Sequence, residues 1–139
     1  MNRGKFKHIL RIPCSEVTSD ESINLICDLK DTLIATPNAA GLAAPQIGKS
    51  LRAFVVKNGN EITAFINPII TVRSDEKNIA EEGCLSVPGF RALISRSTRI
   101  MILHDHGKTE VKGFRARVIQ HELDHLDGIL ITDREARHA

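Results

Sequence analysis

The amino-acid sequence predicts an α+β fold in which a mostly antiparallel β-sheet packs around a central helix bearing an HExxH motif, with another helix near the N-terminus. Two helical hydrophobic patterns flank a middle that is rich in β-branched residues. An Asn-Gly pair in that middle favours a tight hairpin, and hairpins pair their strands antiparallel. A length of 139 residues with 42% hydrophobic content suits one core, so we expect a single domain over residues 1–139.

The first helix is predicted over residues 19–35. Thr18-Ser19-Asp20-Glu21 offers a capping box at its start, and Pro37 stops the pattern. Its apolar positions recur at helical spacing and are Ile23, Ile26, Leu29, Leu33 and Ile34. Cys27 lies near this apolar face and Cys14 follows Pro13 in a loop, so both are expected to be small buried hydrophobes rather than functional thiols.

The middle of the chain is predicted to form strands. Apolar runs at 54–56 and 62–66 flank Lys57-Asn58-Gly59-Asn60, whose Asn-Gly pair predicts a β-hairpin. Further β-branched runs at 69–72 and 98–103 add strands that we expect to be antiparallel.

A second long helix is predicted from Glu110 to Gly128, a residue type that often follows a helix. Its inner stripe is expected to consist of Val111, Phe114, Val118 and positions 121, 122 and 125.

His121-Glu122-Leu123-Asp124-His125 forms an HExxH motif inside this helix. Histidines at i and i+4 project from one helix face and can bind one metal ion, and Glu122 is beside them to take a proton from water. The alternative is a pair of surface histidines on a charged helix. The motif shares the inward stripe, where unpaired imidazoles would be costly to bury, and metal binding is therefore favoured.

Two histidines need a third protein ligand if the ion is to keep an open coordination position. A metzincin would have a histidine as third ligand where this chain has Ile131. Thermolysin-like enzymes use a glutamate further along the chain, and Glu135, in a short tail, is a poor candidate for it. Cys84 is the better candidate because it lies in the polar turn Glu82-Gly83-Cys84-Leu85-Ser86, and a nearby metal would keep its thiol ionised.

Composition excludes several classes of protein. Nineteen Lys and Arg against 17 Asp and Glu give a net charge near balance, and aromatic residues make up only 4%, so neither a nucleic-acid groove nor an anionic membrane surface is expected as a partner. No apolar run approaches the roughly 20 residues of a membrane span, and the N-terminus lacks a signal-peptide core. We expect a soluble protein that is not exported.

Three segments resemble the signature motifs of the peptide deformylase family in content and order. They are Gly41-Leu42-Ala43-Ala44-Pro45-Gln46-Ile47-Gly48, Glu82-Gly83-Cys84-Leu85-Ser86 and Gln120-His121-Glu122-Leu123-Asp124-His125-Leu126-Asp127-Gly128. The resemblance extends from about residue 6 to residue 131. It implies a catalytic domain that removes the N-formyl group from the formyl-methionine of nascent polypeptides and releases formate.

The resemblance also implies roles for individual residues. Cys84, His121 and His125 would hold one divalent metal, and Glu122 would serve as general base and then as general acid. The side-chain amide of Gln46 and the backbone N–H of Leu85 would stabilise the oxyanion. Glu82 would form an ion pair with Arg91 or Arg96, or remain a solvated charge.

The resemblance further implies that the substrate methionine binds at Ala40, Gly41, Phe114 and Val118, with the Gly41 backbone pairing with an extended peptide. The family implies Fe²⁺ as the natural metal, although one thiolate and two imidazoles also suit Zn²⁺, Ni²⁺ or Co²⁺. A transient contact with the ribosome and a cytoplasmic location in a bacterial or phage-infected cell follow as further expectations.

Two departures from the family pattern are visible. Ala39 stands where a glycine is usual, which puts the shape of the pocket in question, and only 11 residues follow Gly128, as expected for a compact form that lacks a further C-terminal helix. Two alternatives stay open from the sequence. One is a zinc peptidase of the HExxH type with a different third ligand, and the other is an inactive or purely structural metal-binding relative.

Overall fold

The computed structural model describes residues 13–84 and 87–134, and there it has the predicted α+β class. The helices are α1 (Ser19–Ile34), α2 (Gly113–Leu126) and the short α3 (Ile131–Arg134). The strands are β1 (Gly41–Ala43), β2 (Ala53–Asn58), β3 (Glu61–Ile66), β4 (Ile69–Arg73), β5 (Lys77–Cys84), β6 (Val87–Ser97), β7 (Arg99–His104) and β8 (Gly107–Lys112). None of the helices in these ranges has the length and apolar composition needed to cross a bilayer.

The described strands form three antiparallel sheets, in the orders β1-β2-β3, β4-β7-β8 and β5-β6. The predicted hairpin is confirmed, because Asn58 pairs with Glu61 and Gly59 takes a φ of 64° in the turn between them. The strands predicted at 69–72 and 98–103 correspond to β4 and β7.

Helix α1 confirms the predicted segment but corrects its buried face. Glu21 Oε1 accepts a hydrogen bond from the Thr18 N–H at 2.9 Å, as a capping residue does. The buried side chains are spaced four residues apart and are Leu25, Leu29 and Leu33. Ile23 and Ile34 are 74% and 68% exposed, and Cys27 is exposed too, because these positions are turned away from that leucine row. The expectation that Cys27 is buried was therefore wrong.

Helix α2 begins later than predicted. Residues 107–112 form β8, in which Val111 pairs with Ile100 and is buried in the sheet rather than on the helix. The helix starts only at Gly113, whose φ of 64° turns the chain and whose N–H donates to Thr98 O at 2.9 Å. The prediction of a helical start at Glu110 was wrong because pairing with β7 decides the conformation of this segment.

One apolar cluster holds α2 between two of the sheets. It combines residues from β1–β3, from β7 and β8, and from α2: Ala43, Phe54, Val56, Phe65, Ile100, Ile102, Val111, Ala116, Ile119, Leu123 and Leu126. Helix α1 covers the other face of the first sheet through a second cluster that includes Leu29, Leu42 and Val55. The helix that carries HExxH is thus held at the centre by contacts on several sides.

Candidate metal centre

Cys84, His121 and His125 meet at one point between β5 and α2. Their ligand atoms all lie within 4.8 Å of one another, and Cys84 Sγ is 3.3 Å from His125 Nε2. The two imidazole centroids are 5.2 Å apart, as expected for residues one helical turn apart. One sulfur and two ring nitrogens converging in this way fit a tetrahedral ion with one position left for water or substrate.

His125 is held in the form that binds metals. Burial lowers its pKa to about 3, and the neighbouring charges of His121 and Arg96 add to this effect. The ring is therefore neutral at physiological pH, as ligation requires. Its buried Nδ1 finds no hydrogen-bond partner among the described residues.

His121 is oriented by a carboxylate. Its Nδ1 is 2.8 Å from Glu82 Oε1, which leaves Nε2 as the nitrogen available for a metal. Burial alone would lower the pKa of His121, but hydrogen bonds with Cys84 and Glu82 raise it to about 10. The ring therefore carries a proton that a cation must displace on binding.

Glu82 is buried and bound by two guanidinium groups as well as by His121. Arg96 donates to both of its oxygens, at 3.0 and 3.1 Å, and Arg117 donates to Oε2. Burial alone would raise the pKa of Glu82, but the hydrogen bonds from His121 and Arg96 outweigh it and lower the pKa to about 2. Of the two arginines predicted as partners of Glu82, Arg96 forms the ion pair, whereas Arg91 pairs with Glu81.

Glu122 is buried beside the ligand cluster. Its Oε1 has no hydrogen-bond partner among the described residues. Burial raises its pKa to about 7, although the charges of His121 and Arg96 act in the opposite direction. A carboxyl group with a pKa near neutrality can both accept and return a proton.

Gly41 allows β1 to approach this carboxyl group. A Cβ at Gly41 would lie 3.0 Å from Glu122 Oε2 and 3.1 Å from both Glu122 Cγ and the Val55 carbonyl oxygen. Any larger residue would therefore press on the Glu122 side chain or on the strand behind it.

Gln46 faces the same centre from a 3₁₀ turn, Ala44–Ile47, that follows β1. Its Oε1 accepts a hydrogen bond from the Ala43 N–H at 2.9 Å, and this bond fixes which side of the amide donates. The Nε2 donor then lies 3.8 Å from Cys84 Sγ. Leu85, the other predicted oxyanion donor, lies outside the described residues.

A cavity of about 570 Å³ opens next to the ligand cluster. All four predicted pocket residues line it: Ala40, Gly41, Phe114 and Val118. Phe114 is 71% exposed and so lies at the rim, and the prediction that it belongs to the inner stripe of the helix was wrong. Ala39 also lines the cavity, and because its φ is negative the methyl group there imposes no backbone strain.

Three charged residues around the centre were not predicted from the sequence, namely Arg117, Asp124 and Arg134. Arg117 is four residues before His121, so both side chains reach Glu82 from one face of α2. That spacing was visible in the sequence and could have indicated Arg117. Asp124 and Arg134 gave no such signal, because their contacts depend on how α3 folds back onto α2.

Comparisons with known proteins agree with this geometry. The chain matches the family model for polypeptide deformylase over residues 5–139. It is 47% identical over 133 residues to a peptide deformylase of Dictyoglomus turgidum, covering 91% of this chain and 86% of that protein. It is 45% identical over 136 residues to one from Pseudothermotoga lettingae, covering 94% of this chain and 75% of that protein.

Solved structures give the same result. The crystal structure of peptide deformylase from Thermotoga maritima superposes with a TM-score of 0.88 at 39% identity, covering 99% of this chain and 97% of that one. The structure of a probable peptide deformylase from Synechococcus phage S-SSM7 has a TM-score of 0.84 at 34% identity, covering 94% of this chain and 96% of that one.

Proposed function

The chain belongs to the polypeptide deformylase family, whose metal-dependent hydrolysis removes the N-formyl group from nascent polypeptides, and we propose which of its residues carry out each step. The observation that carries the assignment is the convergence of one thiol and two imidazoles beside the buried carboxyl group of Glu122. We further propose that residues 1–139 act as one catalytic domain.

Cys84, His121 and His125 hold one divalent cation in this proposal. The bound cation supplies Lewis-acid chemistry, lowering the pKa of a water and polarising the formyl carbonyl. We propose Fe²⁺ as the native metal. Zn²⁺, Ni²⁺ and Co²⁺ are also compatible with one thiolate and two imidazoles.

Glu122 moves the proton. It accepts a proton from the water that attacks the formyl carbon and then donates it to the departing amine of the methionine, so that formate and a free N-terminus are released. The buried Oε1 without a partner among the described residues supports this role, because a carboxyl oxygen is left available for the reaction. The close approach of Gly41 supports it too, since β1 limits where the carboxyl group can move.

Gln46 donates from Nε2 to the formyl oxygen as it becomes negative, and the backbone N–H of Leu85 donates to the same oxygen. The hydrogen bond between Ala43 and Gln46 Oε1 supports this assignment because it keeps the donor side of the amide directed at the centre. A donor that is fixed before the reaction requires no reorganisation during it.

The substrate binds as an added strand along β1. Among the described strands β1 pairs only with β2, so its other edge can accept an extended peptide near Gly41. The methionine side chain enters the cavity lined by Ala40, Phe114 and Val118. Recognition of later residues through main-chain hydrogen bonds predicts tolerance of many sequences.

The substrate is a chain still under synthesis, so we propose a transient contact with the ribosome and a location in the bacterial cytoplasm. Neither nucleic acid nor membrane is part of the proposed reaction.

Formate release tests the proposal directly. We expect anaerobically reconstituted protein to release formate from formyl-Met-Ala-Ser and to leave acetyl-Met-Ala-Ser intact, because the cavity must hold the methionine while the small formyl group reaches the metal. Parallel reconstitution with Fe²⁺, Zn²⁺, Ni²⁺ and Co²⁺ shows which metal supports the fastest formate release. Metal-loaded protein without deformylation would contradict the proposal, and cleavage of internal peptide bonds would support the peptidase alternative.

A further inference from the structure

A bidentate salt bridge between Arg134 and Asp124 joins helix α3 to α2, the helix that carries the HExxH motif. Arg134 donates from Nε to Asp124 Oδ2 at 3.1 Å and from Nη2 to Asp124 Oδ1 at 3.0 Å. Asp124 is inside the motif, next to His125, and its side chain is 11% exposed whereas that of Arg134 is 44% exposed. This fork geometry fixes both partners more tightly than a single charge contact would.

Asp124 is also the first member of a buried chain of hydrogen bonds that ends at a proposed metal ligand. Arg96 Nη1 donates to Asp124 Oδ2 at 2.6 Å. The remaining nitrogens of Arg96 donate to Glu82, and Glu82 contacts His121 Nδ1 at 2.8 Å. The contacts therefore run from Arg134 through Asp124, Arg96 and Glu82 to His121.

The position of α3 does not depend on this ion pair alone. Ile131, at its start, is buried in a cluster with Ala92 and Ile94 of β6, and Cys84 packs against the same cluster. Asp133 Oδ2 also accepts a hydrogen bond from the Leu130 N–H at 2.9 Å. Because these contacts hold the helix without Arg134, the effect of its side chain can be tested separately from the fold.

We propose that Arg134 is a positioning residue that keeps His121 in the orientation needed to retain the metal, acting through Asp124, Arg96 and Glu82. The inference rests on the proposed function, since it takes His121 to be a ligand.

The physical reason is the sharing of Arg96 between two buried carboxylates. Among the described residues, Arg134 is the donor to Asp124 Oδ1 and one of two donors to Oδ2. Without it, Arg96 is the one charged partner of Asp124 left in the described part of the chain, and Asp124 attracts that guanidinium more strongly. Arg96 then holds Glu82 less firmly, and the ring of His121 gains freedom to rotate.

Metal dissociation measures this effect without relying on catalysis. Protein loaded with Zn²⁺ is mixed with an excess of a zinc-binding dye, and the rate of metal transfer is followed. We expect Arg134→Ala to release the metal about tenfold faster, the lower end of the 10–100-fold range seen when partners of metal ligands are removed. The release rate of Arg134→Lys should lie between those of the unmodified protein and Arg134→Ala, because an ammonium group keeps the charge but cannot make the two-point contact.

Arg52→Ala is the matched control. Arg52 also joins the end of α2, through Asp127 Oδ1 at 2.9 Å and Leu126 O at 3.2 Å, but these contacts do not lead to Glu82. We expect this variant to release the metal at the unmodified rate even if its unfolding midpoint falls as much as that of Arg134→Ala.

A double-mutant cycle with Asp124→Asn identifies the route. If Arg134 acts through this carboxylate, Arg134→Ala should accelerate release little further once Asp124 is already changed. An unchanged tenfold effect in the Asp124→Asn background would overturn the proposed route. Equal release rates in Arg134→Ala and Arg52→Ala, or a change in both only in proportion to lost stability, would overturn the inference as a whole.

The outcome is separable from that of the proposed function. If the unmodified protein does not bind Zn²⁺ at this centre, the metal assignment itself fails. If it binds Zn²⁺ and Arg134→Ala does not change the release rate, only the role of Arg134 fails.

Discussion

The two long helices differ in the residues that they bury, since α1 buries only apolar side chains and α2 buries polar ones as well. Helix α1 turns a row of leucines, Leu25, Leu29 and Leu33, toward the first sheet. The buried residues of α2 include five polar or charged ones: Arg117, Gln120, Glu122, Asp124 and His125. Burying leucine is favourable in itself, whereas burying a charge is costly unless it is paired. The comparison indicates that α1 stabilises the fold alone, whereas α2 both packs in the core and carries the buried charges around the ligand cluster.

The buried polar side chains of α2 also differ in whether they have hydrogen-bond or ionic partners. Arg117 and Asp124 have charged partners, and Gln120 exchanges hydrogen bonds with the backbone of Ser97. Glu122 Oε1 and His125 Nδ1 are buried without such a partner in the described part of the chain. Buried polar atoms left in this way are expected where a reaction or a ligand uses the group. Arg115 Nε, near the start of the helix, is the third such atom, so two of the three exceptions on α2 fall at the site.

The largest expected effect comes from Glu122→Gln, which keeps the size of the side chain and removes its ability to take up a proton. We expect turnover to fall by about 10²–10⁴-fold with the metal still bound. Formate release and metal content are to be measured on the same sample. Glu110→Gln, an exposed change on β8, is the control and should leave both unchanged. Loss of metal together with activity would point to a structural role for Glu122.

Gln46→Glu is expected to have the next largest effect. The carboxylate can still accept the hydrogen bond from the Ala43 N–H, but the Nε2 donor is gone and a negative charge faces the oxyanion. We expect kcat to fall by about 10²–10³-fold. Turnover close to that of the unmodified protein would exclude Gln46 as an oxyanion donor.

Leu29→Ala tests the other side of the comparison. Leu29 is fully buried, so we expect its truncation to lower the free energy of unfolding by about 2–5 kcal/mol. Ile23→Ala, on the exposed face of the same helix, should change it by no more than about 0.5 kcal/mol. Both are measured by urea denaturation. The kcat of folded, metal-loaded protein should stay the same in both, and a large fall in kcat would contradict the assignment of α1 to the fold alone.

Gly41→Ala should have the smallest effect of the four, because a methyl group there displaces the Glu122 side chain by only a few tenths of an ångström. We expect about a tenfold loss of kcat/KM from this misplacement. Gly83→Ala is the matched comparison, since its Cβ would meet the far end of the flexible Arg91 side chain at 2.7 Å rather than the Glu122 carboxyl group. A loss of the same size in both variants would argue against a specific contact between Gly41 and Glu122.

Much of this could be predicted from the sequence, where local signals were strong. The position of α1, the hairpin around Gly59, and the HExxH residues follow from periodicity, turn chemistry and helical spacing. The pairing of Cys84 with the two histidines was also predicted, because few other residues could complete the ligand set.

The parts that could not be predicted depend on pairing between distant segments. The hairpin of β5 and β6 was missed because residues 77–84 are mostly exposed and polar, so they lack the alternation that marks a half-buried strand. The start of α2 was misplaced because β8 is defined by its contact with β7. The ionic chain from Arg134 to His121 joins α3, α2, β6 and β5, and no single stretch of sequence contains it.

In the proposed mechanism one sulfur and two imidazole nitrogens hold the metal. X-ray absorption at the zinc edge of the Zn²⁺-loaded protein measures this directly. We expect one sulfur at about 2.3 Å and nitrogen ligands at about 2.0–2.1 Å, with the sulfur signal lost in Cys84→Ser. A coordination shell of nitrogen and oxygen alone in the unmodified protein would contradict it.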